Sequence, residues 1–242
     1  MNKLIEQFDS LIETPQKKLG FGDVLSSKQN KKMILSAEAI TTEQVSSHFD
    51  SILIKDLEFH SIKNVKSSIN NSVGILNPDK NIKIKSLESA GYDYAILNDL
   101  NVASEILSSD KLTIGYQVTN NLEDELADII EDLPFSFVYI DLMSALDLDK
   151  LSGIFTIAKI TSKISKNIFL KLNKAPSLST LNILNTLGVN SIVISHNVAS
   201  TINLDQLVLN IDKIKPENPK NSHHYADLSS VMTDLDTSED DY

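Results

Sequence analysis

Eight short apolar runs punctuate the chain, and most are separated by stretches with apolar residues at helical spacing. The clearest run is Asn167-Ile168-Phe169-Leu170-Lys171-Leu172-Asn173. Strict alternation places Ile168, Leu170 and Leu172 on one face of a strand and Phe169, Lys171 and Asn173 on the other. Taken in order, the runs predict strands over residues 33–38, 51–56, 73–77, 94–98, 112–117, 137–141, 167–173 and 191–195. Helical spacing predicts helices over 42–48, 58–70, 83–90, 100–108, 120–133, 147–164 and 178–187. A last helix carries Leu204, Leu207, Val208, Ile211 and Ile214. The segment 120–133 has the fullest signals: Asn120 or Asn121 as cap, acids at 123–125, and a stripe of Leu122, Leu126, Ile129, Ile130 and Leu133. Gly91 and Gly188 stand where two of these helices end, at positions suited to a left-handed cap.

Eight strand–helix units predict an α/β fold, a (β/α)8 TIM barrel with a leading amphipathic helix and a disordered acidic C-terminal tail. A doubly wound open sheet is the runner-up, disfavoured because no switch-point glycine motif accompanies the strands. Residues 1–19 are expected to form a helix packing on the barrel, with Leu4, Ile5, Phe8, Leu11 and Ile12 on one stripe. Glu6, Asp9 and Glu13 make its other face acidic, which favours a lid over the strands' N-terminal ends rather than a membrane-surface helix. Residues 20–215 are expected to hold the barrel. Residues 216–242 carry seven acids against one lysine behind Pro216 and Pro219, too few apolar groups to offset the entropy of ordering. Within them Tyr225, Leu228, Val231, Met232 and Leu235 fall near helical spacing, so 225–235 is a candidate partner-binding segment.

Composition narrows the functional classes. The chain has 242 residues, a common length for one barrel, and 41 % hydrophobic residues, enough for a core. Its formal net charge is -11, with much of the excess in the tail and no basic stripe of the kind nucleic acid requires. No run approaches the roughly 18 apolar residues that span a bilayer. A cytoplasmic protein is expected, with neither nucleic acid nor membrane as partner. Cys is absent, so there is no thiolate ligand or nucleophile. All 22 basic residues are lysine, so any anion must be met by point charges rather than a guanidinium fork.

One phrase occurs twice. Leu87-x-x-x-Gly91-x-Asp93-x-Ala95-Ile96-Leu97 matches Leu184-x-x-x-Gly188-x-Asn190-x-Ile192-Val193-Ile194, 97 residues later and before the fourth and eighth strands. This helix–Gly–x–Asp/Asn–strand phrase resembles the phosphate-binding group of (β/α)8 barrels, which includes thiamine phosphate synthase. That resemblance implies a phosphate held by glycine-rich loops after strands seven and eight. Residues 173–187 and 195–212 contain no glycine, so the chain departs from the group there and no site residue is carried over.

Barrel chemistry sits at the C-terminal ends of the strands. Those ends offer Glu38, Lys55, Asp56, Asn77, Asn98, Asp99, Gln117, Asp141, Lys171, Asn173, Ser195 and His196. Alternation turns Glu38, Gln117, Asp141, Lys171 and Asn173 inward. Lys55 and Asp56 are neighbours, so only one can face in. Lys171, Asp141 and Glu38 are the candidate catalytic residues, for imine formation at a desolvated lysine or for proton transfer by a carboxylate. The plainer alternative pairs Lys171 permanently with Asp141. Gln117, Asn173 and Asn98 are candidate substrate contacts. Glu38, Asp56 and Asp141 could between them hold a hard cation, but no His spacing supports a metal centre, and neither metal nor cofactor is expected. His48 and His60 fall in predicted helices, and His223-His224 in the tail. The leading functional expectation is a small-molecule enzyme of lyase or isomerase type. The alternative is a catalytically degenerate barrel that binds a ligand or a protein.

Overall fold

A computed structural model of the chain describes residues 2–12, 31–40, 45–55, 71–80, 82–118, 122–142 and 147–215. Eight parallel strands close into a barrel in sequence order: β1 (Ile34–Ala39), β2 (Ser51–Lys55), β3 (Ser72–Leu76), β4 (Tyr94–Leu97), β5 (Thr113–Val118), β6 (Phe137–Ile140), β7 (Asn167–Leu172) and β8 (Val189–Ser195). β8 pairs with β1, from Ile34 opposite Ser191 to Glu38 opposite Ser195, and this seals the ring. Helices α1 (Lys3–Ile12), α2 (Ile84–Ala90), α3 (Asp124–Asp132), α4 (Leu151–Thr161), α5 (Leu178–Thr186), α6 (His196–Ala199) and α7 (Leu204–Asp212) complete the described elements, with a 3-10 turn at Ser104–Ser108. The chain is a (β/α)8 barrel. The predicted helix 58–70, the tail 216–242 and its segment 225–235 lie outside the described residues.

Inward side chains of β1 to β4 and β6 to β8 fill the interior, and aromatic rings make up much of it. Tyr94, Phe137 and Phe169 point into the barrel, with the Phe137 and Phe169 ring centroids 4.7 Å apart and Tyr94 edge-on to both. Such rings need room beside them, and two inward glycines in register on the adjacent strands supply it. A Cβ on Gly74 would lie 2.0 Å from the Tyr94 ring, and one on Gly115 would lie 2.4 Å from the Phe137 ring. α1 closes the N-terminal mouth: Leu4 and Phe8 are buried among these residues, and Phe8 meets Phe169 edge-on at 5.6 Å. Polar groups of α1 seat it on the loops that enter the strands. Gln7 donates to the Asp50 carbonyl and accepts from Ser72, while Asn2 donates to the Lys111 carbonyl. The mouth takes only one ridge of the helix, so Ile5, expected on the buried stripe, is 40 % exposed.

The repeated phrase has a local cause. Gly91 and Gly188 end their helices at φ 89° and 80°, left-handed values that a Cβ would strain. Two residues on, Asp93 Oδ2 accepts from the Val73 N–H at 2.9 Å and Asn190 Oδ1 accepts from the Ile168 N–H at 2.9 Å. Asp50 does the same for the Leu35 N–H at 3.0 Å. Each side chain accepts from the N–H of the second residue of the preceding strand and so ties the entry of one strand to the next. Asn190 sits at a shift of register between β7 and β8, an extra residue on β8.

Several expected elements are shorter or capped differently. The segment 147–164 is helical only over Leu151–Thr161, and Asp147 to Lys150 form a turn in front of it. The helix over 120–133 begins at Asp124 with Glu123 in the cap position and no side-chain cap; Asn120 and Asn121 lie outside the described residues. Ala127, not Ile129, faces the sheet, and Ile129 is exposed. The segment 100–108 holds only the 3-10 turn, and the described part of 42–48 is a turn rather than a helix. Short polar side chains in these segments compete for backbone groups and weaken helix formation.

Gly74→Ala is expected to cost about 1–3 kcal/mol in urea unfolding, because the Tyr94 ring has nowhere to go. In the same assay, Gly74→Ala combined with Tyr94→Leu should lose less than the sum of the single losses. Strict additivity would show that the two side chains do not compete for one space.

Candidate functional site

The C-terminal half of the barrel interior turns polar. Glu38 follows Ile34 and Ser36 on the inward face of β1, and it is buried. Asp141 stands one residue beyond β6 in phase with Phe137 and Tyr139, and Lys171 follows Phe169 on β7. Alternation therefore brings three charges from three strands to one level above the aromatic layer. Lys171 Nζ lies 2.9 Å from Glu38 Oε2 and 3.1 Å from Asp141 Oδ2. Its side chain is 14 % exposed.

Tyr139 completes the cluster. Its hydroxyl is buried and donates to Glu38 Oε2 at 2.9 Å. Burial first, then the charges of Glu38 and Asp141, push the Tyr139 pKa far above the usual phenol value, so the group stays a donor. For Lys171 burial works against the charge, but hydrogen bonds and attraction from Glu38 and Asp141 outweigh it and raise the pKa. The amine is thus held as an ammonium. Sequence reasoning passed over Tyr139, although its position two residues before Asp141 on the same face was the signal.

A cavity of about 240 Å³ opens beside Lys171. Leu142, Leu148 and Pro176 give it apolar walls, and Asn173, Asp149 and Lys174 give it polar ones. Lys174 bridges to Asp147 at 2.7 Å and to Asp149 at 2.6 Å, tying the turn before α4 to the loop after β7. Ser177 caps α5 by accepting from the Thr180 N–H, which fixes the far end of that loop.

The other candidates are more scattered. Asn173 lines the cavity. Gln117 is inward on β5 but accepts from Asn77 at 3.0 Å, and Asn77 holds a left-handed φ of 51° to reach it. Asn98 is exposed at the end of β4, in phase with Tyr94 and Ile96. Lys55 shares the inward phase of Leu53 and is exposed, whereas Asp56 lies outside the described residues. Ser195 and His196 form no dyad: Ser195 Oγ caps α6 by accepting from the Val198 N–H, and His196 starts that helix. His48, expected in a helix, sits in a turn with Nε2 2.8 Å from Asp205. His60 is outside the described residues. Among the described residues no group of three His, Asp or Glu side chains could hold a metal ion, and no helix is long and apolar enough to cross a membrane.

No family model and no curated protein matches the chain. Solved structures do. The tryptophan synthase α subunit of Legionella pneumophila superposes with a TM-score of 0.61 over 88 % of this chain and 100 % of that one, at 11 % identity. That of Pyrococcus furiosus gives 0.56 over 76 % and 98 %, at 10 % identity. What they share with this chain is the fold. At this identity the likeness transfers no site residue.

Lys171→Met is expected to destabilise the chain by about 3 kcal/mol near neutral pH, because Glu38 and Asp141 lose their counter-charge. A raised folded pKa means that Lys171 contributes stability below the ordinary lysine value of 10.5, and that this is lost as pH rises through the higher folded value. Lys171→Met should abolish that alkaline limb, as read by thermal unfolding across pH. Equal deficits at all pH values would exclude a charge pair as the cause.

Proposed function

We propose that the chain is a small-molecule enzyme of lyase or isomerase type, working by proton transfer at the C-terminal end of the barrel. The observation that carries this is the meeting of Glu38, Asp141, Lys171 and Tyr139 inside the C-terminal end of the barrel, with Lys171 also lining a cavity. Asp141 is the proton carrier. Its Oδ1 has no hydrogen bond among the described residues, while Oδ2 is tied to Lys171. Asp141 takes a proton from a carbon beside a carbonyl, and the electron pair moves to the carbonyl oxygen. Lys171, as an ammonium beside Asp141, stabilises the oxyanion, and Asp141, after exchanging its proton with solvent, returns a proton to the substrate carbon. Glu38 and Tyr139 hold Lys171 in place. Asn173, Gln117 and Asn98 serve as substrate contacts in this reading. The similar solved structures are named as subunits of a synthase, which accords with an enzyme.

Of the two chemistries open to Lys171, its raised pKa favours the electrostatic one over imine formation. Borohydride reduction with small aldehydes and keto acids at neutral pH is therefore expected to leave Lys171 unmodified. Solvent deuterium exchange into a panel of small hydroxyketones and aldehydes, followed by NMR, tests the main reading. Wild-type chain should catalyse exchange into at least one member, and Asp141→Asn should slow it about 100-fold or more. Unchanged exchange in Asp141→Asn, or a wholly inert panel, counts against the proposal.

A second reading is a barrel that binds without turnover. Its support is that Lys171 is saturated by its own carboxylates, as a structural ion pair would be. In that reading the segment 225–235 serves as a site for a protein partner. Amide exchange of the full chain, alone and in lysate, tests it: protection of 225–235 only in lysate is the expected result, and equal exchange in both rejects it.

A further inference from the structure

Three neighbouring helices on the outside of the ring leave apolar side chains in solvent. α3, α4 and α5 follow the successive strands β5, β6 and β7, so they stand side by side. On α4, Leu151 is 75 % exposed and Phe155, one turn on, is 69 % exposed. Ile129 on α3 and Ile183 on α5 are 46 % and 43 % exposed. The other large apolar side chains exposed among the described residues stand singly, on other parts of the chain. A strip of this kind across adjacent helices marks a surface that another surface covers.

Charge limits what that surface can be. The α3 edge is acidic, with Glu125 and Asp128 exposed beside Ile129. α5 carries no charged residue from Leu178 to Thr186. The lysines of α4 and the turn after it serve α3. Lys163 bridges to Asp124, and Lys166 donates to the Leu133 carbonyl at 3.2 Å. A hydrogen bond from Lys163, with the charges of Lys163 and Lys159, holds the Asp124 carboxyl below its usual range. Residues 216–242, with seven acids against one lysine, would meet like charge at Glu125 and Asp128.

A second copy of the chain meets no such conflict. A two-fold axis running along α4 lays Leu151 and Phe155 on their own counterparts and sets α3 of each chain against α5 of the other. The acidic edge then faces an uncharged one, and Ile129 meets Ile183 of the second copy. An axis across α4 would instead set acidic α3 against acidic α3. Three helices about 10 Å apart and about 15 Å long present a face of roughly 500 Å². Two such faces bury roughly 1,000 Å² in all, the lower bound for a specific interface, so the contact is weak and reversible.

We infer that the chain forms a two-fold dimer through α3, α4 and α5, with Phe155 near its centre. The face is on the outside of the ring, and the dimer does not depend on the proton-transfer reading of the interior.

Sedimentation of the full chain at physiological salt, from micromolar to millimolar concentration, tests this. Wild-type chain is expected to pass reversibly from monomer to dimer mass. Phe155→Glu is expected to weaken association at least about tenfold, as loss of a central anchor does. Ile183→Glu places a charge against Glu125 and Asp128 of the second copy, whereas Ile183→Lys offers them a counter-charge. The lysine variant is therefore expected to associate at least about tenfold more tightly than the glutamate one. All three positions are exposed or half-exposed, so circular dichroism should show each variant folded. A wild-type chain that stays monomeric throughout overturns the inference. If a nitroxide on Ser230→Cys, the sole thiol of that variant, then broadens the Leu151 methyl signals, the tail covers the face instead. Dimerisation that Phe155→Glu leaves unchanged also overturns it, as does equal weakening by the two Ile183 variants.

Discussion

Everything in this barrel depends on how its interior is filled. Eight strands closed in sequence order leave a narrow space, and protein interiors tolerate neither voids nor overlap. Tyr94, Phe137 and Phe169 occupy that space because Gly74 and Gly115 leave room for the rings. Phe8 then seals the N-terminal mouth against the same cluster. The aromatic layer is a floor. It keeps solvent from entering below Glu38, Asp141 and Lys171, so their charges act through a less polar medium than water.

That floor explains why the ion pair is tight. A lysine near bulk water would gain little from two carboxylates. Above a packed aromatic layer, Lys171 has few alternatives to Glu38 and Asp141, and Tyr139 uses its hydroxyl to hold Glu38 from below. The polar edge and the apolar floor come from the same strands, two residues apart: Tyr139 and Asp141 on one, Phe169 and Lys171 on another. The strand period converts that spacing into a vertical division between core and site.

The cavity beside Lys171 has a different origin. Its walls come from the turn before α4 and the loop after β7, joined by Lys174 with Asp147 and Asp149. Such pairs at the surface are individually weak. Here they tie the two walls together and hold Lys174 as a cation between Asp147 and Asp149.

The chain itself determined the strands and their facing. Alternation in 167–173 placed Lys171 and Phe169 inward, and the same rule placed Glu38 and Asp141, because a strand has one period and a barrel has one inside. Gly91 and Gly188 marked helix ends for a reason local to the backbone. Helix extents were less legible. The acidic turn Asp147–Lys150 reads as a helix start on local pattern alone, and only its salt bridges to Lys174 show it to be a wall. Whether Lys171 stands as a free amine or a clamped ammonium was decided by the tertiary structure. Glu38 lies 133 residues away and Asp141 lies 30 away, and no local pattern fixes how closely ring closure brings three strand ends together.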